Sequence, residues 1–306
     1  MKNLSLANGK LQASVISLGC MRISGISETE AENVVKTALE NGINFFDHAD
    51  IYGGNGKCEE VFAKAANITP QLREKLYLQS KCGIRNGYFD FSEEHILASV
   101  DGSLSRLNTE YLDVLLLHRP DSLMEPEEVA SAFDKLQSSG KVRHFGVSNQ
   151  NPSQIELLRK FVKQPILFNQ LQLSVTNTGM IDSGFNVNTK FEIGIDRDGS
   201  VLEYSRLHEI TIQAWSPFQY GFFEGAFLDN EKFPELNAKI NEIAEKYNVA
   251  NTTIATAWIL RHPANMQVVI GTMNAGRITD ICKASDVNLT RPEWYEIYRA
   301  AGNKLP

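Results

Sequence analysis

The sequence predicts an α/β fold in which eight parallel strands close into a barrel that helices surround, the (β/α)8 or TIM-barrel arrangement. Short apolar segments alternate with amphipathic segments along most of the 306 residues. The apolar segments are mostly uninterrupted, which is typical of strands buried on both faces of a parallel sheet. Right-handed crossovers allow an open sheet or a closed barrel, and eight units without a long linker favour the barrel.

The predicted strands and helices follow one another in regular order. The strands are the apolar runs 15–19, 43–47, 76–81, 112–118, 142–148, 167–172, 210–216 and 267–271. The helices have apolar residues at helical spacing and are 28–41, 57–66, 92–106, 125–138, 152–162, 199–208, 233–247, 251–261 and 276–284. Helix-entry residues support several boundaries, since Ser92 precedes Glu94 and prolines follow Glu125 and Asn151.

Two segments depart from the repeating unit. The pair Asn8-Gly9 within residues 4–14 predicts a β-hairpin, which we expect to plug the lower end of the barrel. Residues 173–199 are polar, rich in Gly and Asn and long for a structureless loop, so they are a candidate binding loop or lid. We therefore expect one domain over residues 1–306, a barrel with an N-terminal hairpin plug and extra C-terminal helices.

Composition and charge exclude several classes of protein. A net charge of -7 and the lack of a Lys or Arg run argue against binding to nucleic acid. No apolar run approaches the roughly 20 residues of a membrane helix, and the polar N-terminus has no signal-peptide core. Cysteines 20, 58, 82 and 282 lack metal-ligand spacing and are expected to be reduced and buried. We expect a cytoplasmic protein without a metal site.

Polar residues stand at the carboxyl ends of three consecutive predicted strands. Asp47 ends one strand and Tyr52 follows it, Lys81 ends the next strand, and His118 ends the one after. The carboxyl ends of barrel strands form the active-site face, so we expect these side chains to converge. Each could singly be a solvated strand end or a turn former. Their combination on otherwise apolar strands favours a catalytic set.

This combination is suited to proton transfer at a carbonyl or alcohol oxygen. Tyrosine has a pKa of about 10 and is a weak acid at neutral pH. A neighbouring lysine ammonium is expected to lower that pKa, and an aspartate keeps the lysine charged and fixed. A histidine can orient the substrate or relay a proton. No side chain carries a hydride, so the set requires a cofactor.

The chain resembles the aldo-keto reductases, barrel enzymes that reduce carbonyl groups with NADPH. The resemblance covers nearly the whole chain and is closest to bacterial members described as general oxidoreductases. It rests on the ordered motifs DHADIYG, SKCG, LLLHRPD, FGVSN, NQLQLS, AWSPF and GTMNAGRITD. It implies that Tyr52 is the general acid, that Lys81 and Asp47 tune it, and that His118 orients the carbonyl.

The resemblance also implies a set of binding residues. The implied cofactor contacts are Gly19, Met21, Arg22, Asp47, Ser148, Asn149, Gln170, Trp215, Ser216, Pro217, Phe218, Gly221, Gly271, Thr272 and Arg277. Trp215 would lie beneath the nicotinamide ring, and Thr272 and Arg277 would face the adenosine 2′-phosphate. The implied substrate contacts are Met21, His48, Tyr52, His118 and Phe218, with Ile23, Arg119 and residues 219–223 as further pocket lining.

The identity of the cofactor is less closely specified. Gly271 stands where many NADPH-preferring relatives carry Lys, whereas Arg277 supplies a planar cation suited to phosphate. We expect NADPH in preference to NADH, bound without the Gly-rich Rossmann motif. Two other functions stay open, a cofactor-binding regulatory subunit and a Schiff-base aldolase or lyase using Lys81. The expected partner is a small carbonyl compound, and the expected state is a monomer or weak homo-oligomer.

Overall fold

A closed barrel of eight parallel strands forms the centre of the structure, a computed structural model that describes residues 1–6, 9 and 11–306. The strands are β1 (Asn3–Leu6), β2 (Leu11–Ser14), β3 (Ile16–Gly19), β4 (Phe45–Asp47), β5 (Tyr77–Cys82), β6 (Leu112–Leu117), β7 (Val142–Ser148), β8 (Ile166–Gln172), β9 (Thr211–Trp215), β10 (Gln219–Tyr220), β11 (Gly225–Ala226) and β12 (Gln267–Ile270). The barrel order is β12-β3-β4-β5-β6-β7-β8-β9, with parallel pairing throughout. The predicted (β/α)8 barrel is confirmed.

Helices connect the barrel strands and continue beyond the last one. They are α1 (Glu28–Glu40), α2 (Lys57–Ala66), α3 (Pro70–Arg73), α4 (Glu93–Leu107), α5 (Pro126–Ser138), α6 (Pro152–Arg159), α7 (Gly179–Phe185), α8 (Val201–Leu207), α9 (Pro234–Tyr247), α10 (Asn251–Leu260), α11 (Ala275–Cys282) and α12 (Arg291–Ala300). Ser92 and Asn151 accept hydrogen bonds from the backbone as N-caps of α4 and α6, as their positions predict. None of the helices in the described part of the chain has both the length and the apolar character that crossing a bilayer requires.

The N-terminal hairpin lies at the amino ends of the barrel strands. Strands β1 and β2 pair antiparallel, from Asn3 opposite Ser14 to Leu6 opposite Leu11. The Gln12 N–H donates to the hydroxyl of Tyr77, the first residue of β5, over 3.1 Å. Side chains of the hairpin pack in a small core with Phe45, Val114, Leu116 and Phe168. These contacts close the lower end of the barrel, while Asn8 of the predicted turn lies outside the described residues.

The long segment 173–199 is structured and packs against the last helix. It contains α7 and a 3-10 helix at Glu192–Gly194. The Tyr298 hydroxyl of α12 donates to the Asp182 carboxylate over 2.5 Å. The Phe185 ring contacts the Tyr298 ring at 5.4 Å between centroids. The α7 part of this segment therefore packs against α12, and the role of the segment as a binding loop or lid stays a prediction.

Gly146 in the middle of β7 lies close to residues of the two neighbouring strands, β6 and β8. A methyl group there would lie 2.7 Å from the Leu116 side chain and 2.8 Å from Phe168. We expect Gly146→Ala to lower the free energy of unfolding by about 1–3 kcal/mol, because overpacking forces neighbouring side chains to shift. Urea denaturation measures this change. Gly179→Ala is the matched control because nothing lies within 4 Å of its added methyl group, and equal stability of both variants would contradict the prediction.

Candidate active site

A cavity of about 460 Å³ opens at the carboxyl ends of the barrel strands. Its wall includes residues at or just beyond the ends of all eight barrel strands. Most of the predicted site residues line it, namely Gly19, Met21, Arg22, Asp47, Tyr52, His118, Ser148, Asn149, Gln170, Trp215, Ser216, Pro217, Phe218, Gly271, Thr272 and Arg277. The strand ends therefore converge as the sequence predicts.

Lys81 lies buried below the floor of this cavity, in contact with three groups. Its ammonium is 2.7 and 2.8 Å from the two Asp47 carboxylate oxygens. It also donates to the His48 carbonyl oxygen over 2.8 Å and to the Tyr52 hydroxyl over 3.2 Å. Burial lowers the pKa of Lys81, but Asp47 and Tyr52 together raise it by more than burial lowers it. The net shift of the pKa is therefore upward. Lys81 is therefore a fixed cation beside the Tyr52 hydroxyl.

Four glutamine side chains form a hydrogen-bonded layer inside the barrel at the floor of the cavity. Gln79 and Gln170 each donate to one oxygen of Asp47, over 2.6 and 3.0 Å. Both also donate to Gln213, which in turn donates to Gln267 over 2.9 Å. Of these four glutamines, only Gln170 was predicted from the sequence to be a site residue. The signal for the others was a polar residue at an inward position of an otherwise apolar strand.

Tyr52 follows β4 on a short turn that is tied to the neighbouring strand and helix. The Asp50 N–H donates to the Lys81 carbonyl oxygen over 3.0 Å, and Cys58 donates to the Tyr52 carbonyl oxygen over 3.2 Å. Partial burial raises the pKa of Tyr52, and Lys81 acts in the opposite direction without overcoming it. The expected lowering of this pKa is therefore corrected for the free protein, because burial disfavours the phenolate.

His118 follows β6 and faces Tyr52 across the cavity floor. The two rings meet edge to face, with centroids 5.9 Å apart. Burial lowers the pKa of His118 well below its ordinary value, and the charges of Lys81 and Arg119 lower it further. The imidazole is therefore neutral at physiological pH, and a neutral imidazole can donate one N–H to a substrate oxygen.

Ser148, Asn149 and Trp215 form a connected group on the opposite wall. The Ser148 hydroxyl donates to the Gln170 carbonyl oxygen over 2.9 Å, and the Asn149 amide donates to the Ser148 hydroxyl over 2.7 Å. The indole N–H of Trp215 donates to the Asn149 side-chain oxygen over 3.2 Å. The Trp215 ring is half-buried and stacks with Phe223 at 5.8 Å between centroids. These bonds hold the indole ring in one orientation in the cavity wall.

A basic corner of the cavity lies where β12 runs into α11. The Asn274 side chain caps α11 by accepting from the Arg277 N–H over 2.9 Å. The Arg22 guanidinium donates to the Gly271 carbonyl oxygen over 3.1 Å. The Arg277 guanidinium has no carboxylate partner in the described part of the chain. A helix N-terminus with two arginines nearby is suited to an anionic group such as a phosphate.

Several residues predicted to bind or to line the pocket do not line the cavity, namely Ile23, His48, Tyr220, Gly221 and Phe222. His48 is fully buried, and its ring packs against Phe62 with centroids 4.6 Å apart. It points outward because side chains alternate along β4, where Phe45 and Asp47 point inward. Gly221 is exposed, and its carbonyl oxygen accepts from Gln172 over 2.8 Å. The prediction of a pocket-wall role for His48 is therefore corrected.

The described residues offer no other obvious reactive centre. Among residues 1–6, 9 and 11–306, no group of three His, Cys, Asp or Glu side chains is arranged to hold a metal ion. All four cysteines are buried and unpaired with one another. The cavity instead fits an elongated organic cofactor, because an aromatic wall and amides lie on one side and a basic corner closes the end at α11.

The comparison with protein families decides the assignment. The profile of the Aldo/keto reductase family matches residues 15–301. The chain belongs to the aldo/keto reductase family. Such enzymes are NAD(P)H-dependent oxidoreductases that act on carbonyl groups. The cavity of this aldo/keto reductase lies at the carboxyl ends of the barrel strands, the usual place of the active site in such barrels.

Individual relatives agree with this assignment. This aldo/keto reductase is 34% identical to the uncharacterized oxidoreductase YcsN of Bacillus subtilis over 100% of both chains. It is 33% identical to a 6-dehydroglucose reductase of Agrobacterium fabrum over 99% of both chains. It is also 33% identical to the oxidoreductase YdhF of Escherichia coli, over 90% of this chain and 89% of that one.

Solved structures support the fold. The thermostable aldo-keto reductase Tm1743 in complex with epalrestat superposes with a TM-score of 0.78 at 24% identity, over 98% of this chain and 100% of that one. The aldo-keto reductase of Bombyx mori in complex with NADP gives a TM-score of 0.74 at 21% identity, over 97% and 92% of the chains. At this identity the likeness establishes the barrel for this aldo/keto reductase.

Proposed function

We propose that this aldo/keto reductase reduces aldehydes and ketones to alcohols with NADPH, and that Tyr52 is the general acid. The single observation that carries this proposal is the contact of the Tyr52 hydroxyl with a buried, charged lysine at the cavity floor. The Lys81 ammonium lies 3.2 Å from that hydroxyl and is held by Asp47. The set is completed by His118. Its four members come from the ends of the adjacent strands β4, β5 and β6, and their side chains meet at the cavity floor.

The proposed proton transfer follows from the charges at this point. NADPH, when bound, supplies the hydride to the carbonyl carbon. Tyr52 is protonated at rest because its pKa is raised, and it donates its proton to the carbonyl oxygen as negative charge develops there. The resulting phenolate is stabilised by the Lys81 ammonium, which costs no reorganisation because the ion pair with Asp47 already fixes it. Neutral His118 donates an N–H to the same oxygen and orients the substrate.

The opposite wall fits the proposed cofactor. Asn149, Ser148 and Gln170 present amide and hydroxyl groups that suit the nicotinamide carboxamide, and the indole face of Trp215 suits the ring itself. The loop that begins with Ser216, Pro217 and Phe218 borders the path toward α11. The residues proposed to bind the adenosine end of NADPH are Arg22, Gly271, Thr272 and Arg277, which line the cavity near α11.

The environment of Lys81 disfavours a Schiff-base enzyme. Formation of a Schiff base requires an uncharged lysine amine. The Asp47 carboxylate lies 2.7 Å from the Lys81 ammonium, and the net pKa shift of Lys81 is upward. The lysine is therefore charged and a poor nucleophile, in keeping with a role in stabilising the Tyr52 phenolate.

A broad substrate screen tests the proposed function. Purified protein is mixed with NADPH and a panel of aldehydes and ketones, and loss of NADPH absorbance is followed with the wild type and Tyr52→Phe. We expect turnover by the wild type and its near loss in the variant. Tight NADPH binding without turnover on any compound would contradict the proposal and would favour a cofactor-binding regulatory subunit.

Arg277 provides a test of cofactor preference. We expect Arg277→Ala to weaken NADPH binding by about tenfold to hundredfold, because a charge-assisted contact contributes about 1.5–3 kcal/mol. NADH binding should change little because NADH lacks the 2′-phosphate. Fluorescence titration with both cofactors measures the two dissociation constants. Arg299→Ala on the exposed face of α12 is the control, and equal weakening of NADPH and NADH by Arg277→Ala would contradict the assigned role.

A further inference from the structure

Arg119 is a half-buried cation in the cavity wall, directly after His118. The central guanidinium carbon lies 5.7 Å from the centroid of the Trp215 ring and 5.8 Å from that of the Phe222 ring. Both distances are within the range of a cation–π contact. The guanidinium therefore contacts two aromatic side chains at the mouth of the cavity.

This arginine has no acidic partner in the described part of the chain. No Asp or Glu oxygen lies within ion-pair distance of Arg119, whereas the buried Arg73 contacts Asp113 and the part-buried Arg106 contacts Glu59. Burial lowers the pKa of Arg119, and Tyr52 acts in the opposite direction. Arginine nevertheless stays charged at physiological pH. Its N–H donors thus face a cavity that offers them no anion.

The barrel order separates Arg119 from the basic corner assigned to the cofactor. Strand β6, which precedes Arg119, lies diametrically opposite β12, which precedes Arg277. Arg22 follows β3, the neighbour of β12. The backbone of Arg119 therefore stands beside His118, on the side of the cavity where the carbonyl substrate is proposed to react, and its guanidinium extends over the Trp215 ring. The 2′-phosphate corner begins at β12, across the barrel.

The charged side chains that line the cavity also favour binding of an anion. Among the described residues, its lining contains Arg22, Arg119 and Arg277 but only one acidic side chain, Asp47. The Asp47 carboxylate is already neutralised by Lys81. On the substrate side of the cavity, Arg119 is consequently the unpaired charged side chain that can interact with a bound compound.

We propose that this enzyme acts on carbonyl compounds that carry a carboxylate, and that Arg119 binds the carboxylate as a substrate-selecting residue. The planar guanidinium fork matches a carboxylate in a bidentate ion pair, and the aromatic side chains beside it reduce access of water to that pair. This assignment rests on the proposed carbonyl reduction. It adds that acids with an aldehyde or keto group are preferred over neutral analogues of the same shape.

Matched pairs of substrates test this preference. The pairs are 4-formylbenzoate with its methyl ester and 4-oxobutanoate with its methyl ester, so that only the charge differs greatly within a pair. The kcat/KM of each is measured with NADPH for the wild type, Arg119→Gln and Arg119→Lys. Arg85→Gln is the matched control, because Arg85 lies on the neighbouring mouth loop and is paired with Asp90.

We expect the wild type to favour the acid of at least one pair. In Arg119→Gln the acid-to-ester ratio of kcat/KM should fall by about tenfold to hundredfold, mainly through KM. Arg119→Lys should give an intermediate ratio because it keeps the charge but loses the fork. Arg85→Gln should leave the ratio as in the wild type.

Three results would overturn the assignment in distinguishable ways. Reduction of both members of each pair with a ratio that Arg119→Gln leaves unchanged would refute it and keep the proposed function. A loss of NADPH affinity in Arg119→Gln with an unchanged ratio would show that Arg119 binds the cofactor instead. Reduction of no compound by the wild type, in this set or in the broad screen, would refute both.

Discussion

Replacing Tyr52 with Phe is expected to lower kcat by about a hundredfold to ten-thousandfold, the range typical of a lost general acid. The change removes the hydroxyl that lies 3.2 Å from the Lys81 ammonium and leaves the ring that contacts His118. NADPH affinity should be retained because the proton is transferred only in the chemical step. Single-turnover measurements of NADPH oxidation give the rate, and fluorescence titration gives the affinity.

A second tyrosine supplies the control for this experiment. Tyr77→Phe also removes one hydroxyl, but at the amino end of the barrel, where it accepts only from the Gln12 N–H among the described contacts. We expect its kcat to match that of the wild type. If Tyr52→Phe retained more than about a tenth of the wild-type kcat, a role as the principal proton donor would be untenable.

Asp47→Asn is expected to lower the free energy of unfolding by about 3–5 kcal/mol, because it leaves the Lys81 charge buried without its partner. The Lys81 side chain is fully buried and the Asp47 side chain is 3% exposed, so water cannot compensate the loss. Loss of the Asp47 charge also lets burial lower the pKa of Lys81. Turnover should therefore fall strongly, because a lysine that loses its proton no longer stabilises a phenolate at Tyr52. Urea denaturation and steady-state kinetics measure the two effects.

A double variant separates charge burial from catalysis. Asp47→Asn combined with Lys81→Met removes both charges, and we expect it to recover much of the stability while staying inactive. Asp101→Asn is the control for an exposed ion pair, because Asp101 contacts Lys141 at the surface and should change stability by about 1 kcal/mol or less. Wild-type stability of Asp47→Asn would show that the pair is solvated in solution, against the structure.

The barrel and the convergence of Asp47, Tyr52, Lys81 and His118 could be predicted because both follow from local patterns. Apolar runs define the strands, and the residue that ends each run falls on one face of the barrel. The outward direction of His48 was also available, since it alternates with Asp47. The proton affinity of Tyr52 could not be predicted, because it depends on how far the folded wall excludes water.

Long-range contacts set the remaining limits. The polar composition of residues 173–199 gave no sign that Asp182 and Phe185 contact Tyr298, which lies more than a hundred residues away in the chain. In the same way, the inward glutamines belong to strands that are far apart in sequence. A single sequence does not indicate which of them pair, whereas the barrel order places them side by side.

The glutamine layer places amide dipoles inside the barrel that hydrogen bonds hold in fixed orientations. Gln267 donates to the Ser14 carbonyl oxygen over 2.8 Å, accepts from Gln213, and so anchors one edge of the layer at the end of β2. At the other edge, Gln79 and Gln170 direct their amide dipoles at Asp47. Mobile water would have to reorient as charge moves between Tyr52 and the substrate. The glutamine amides need not reorient, because their hydrogen bonds already fix them. The layer thus sets the electrostatic field of the site before any ligand enters.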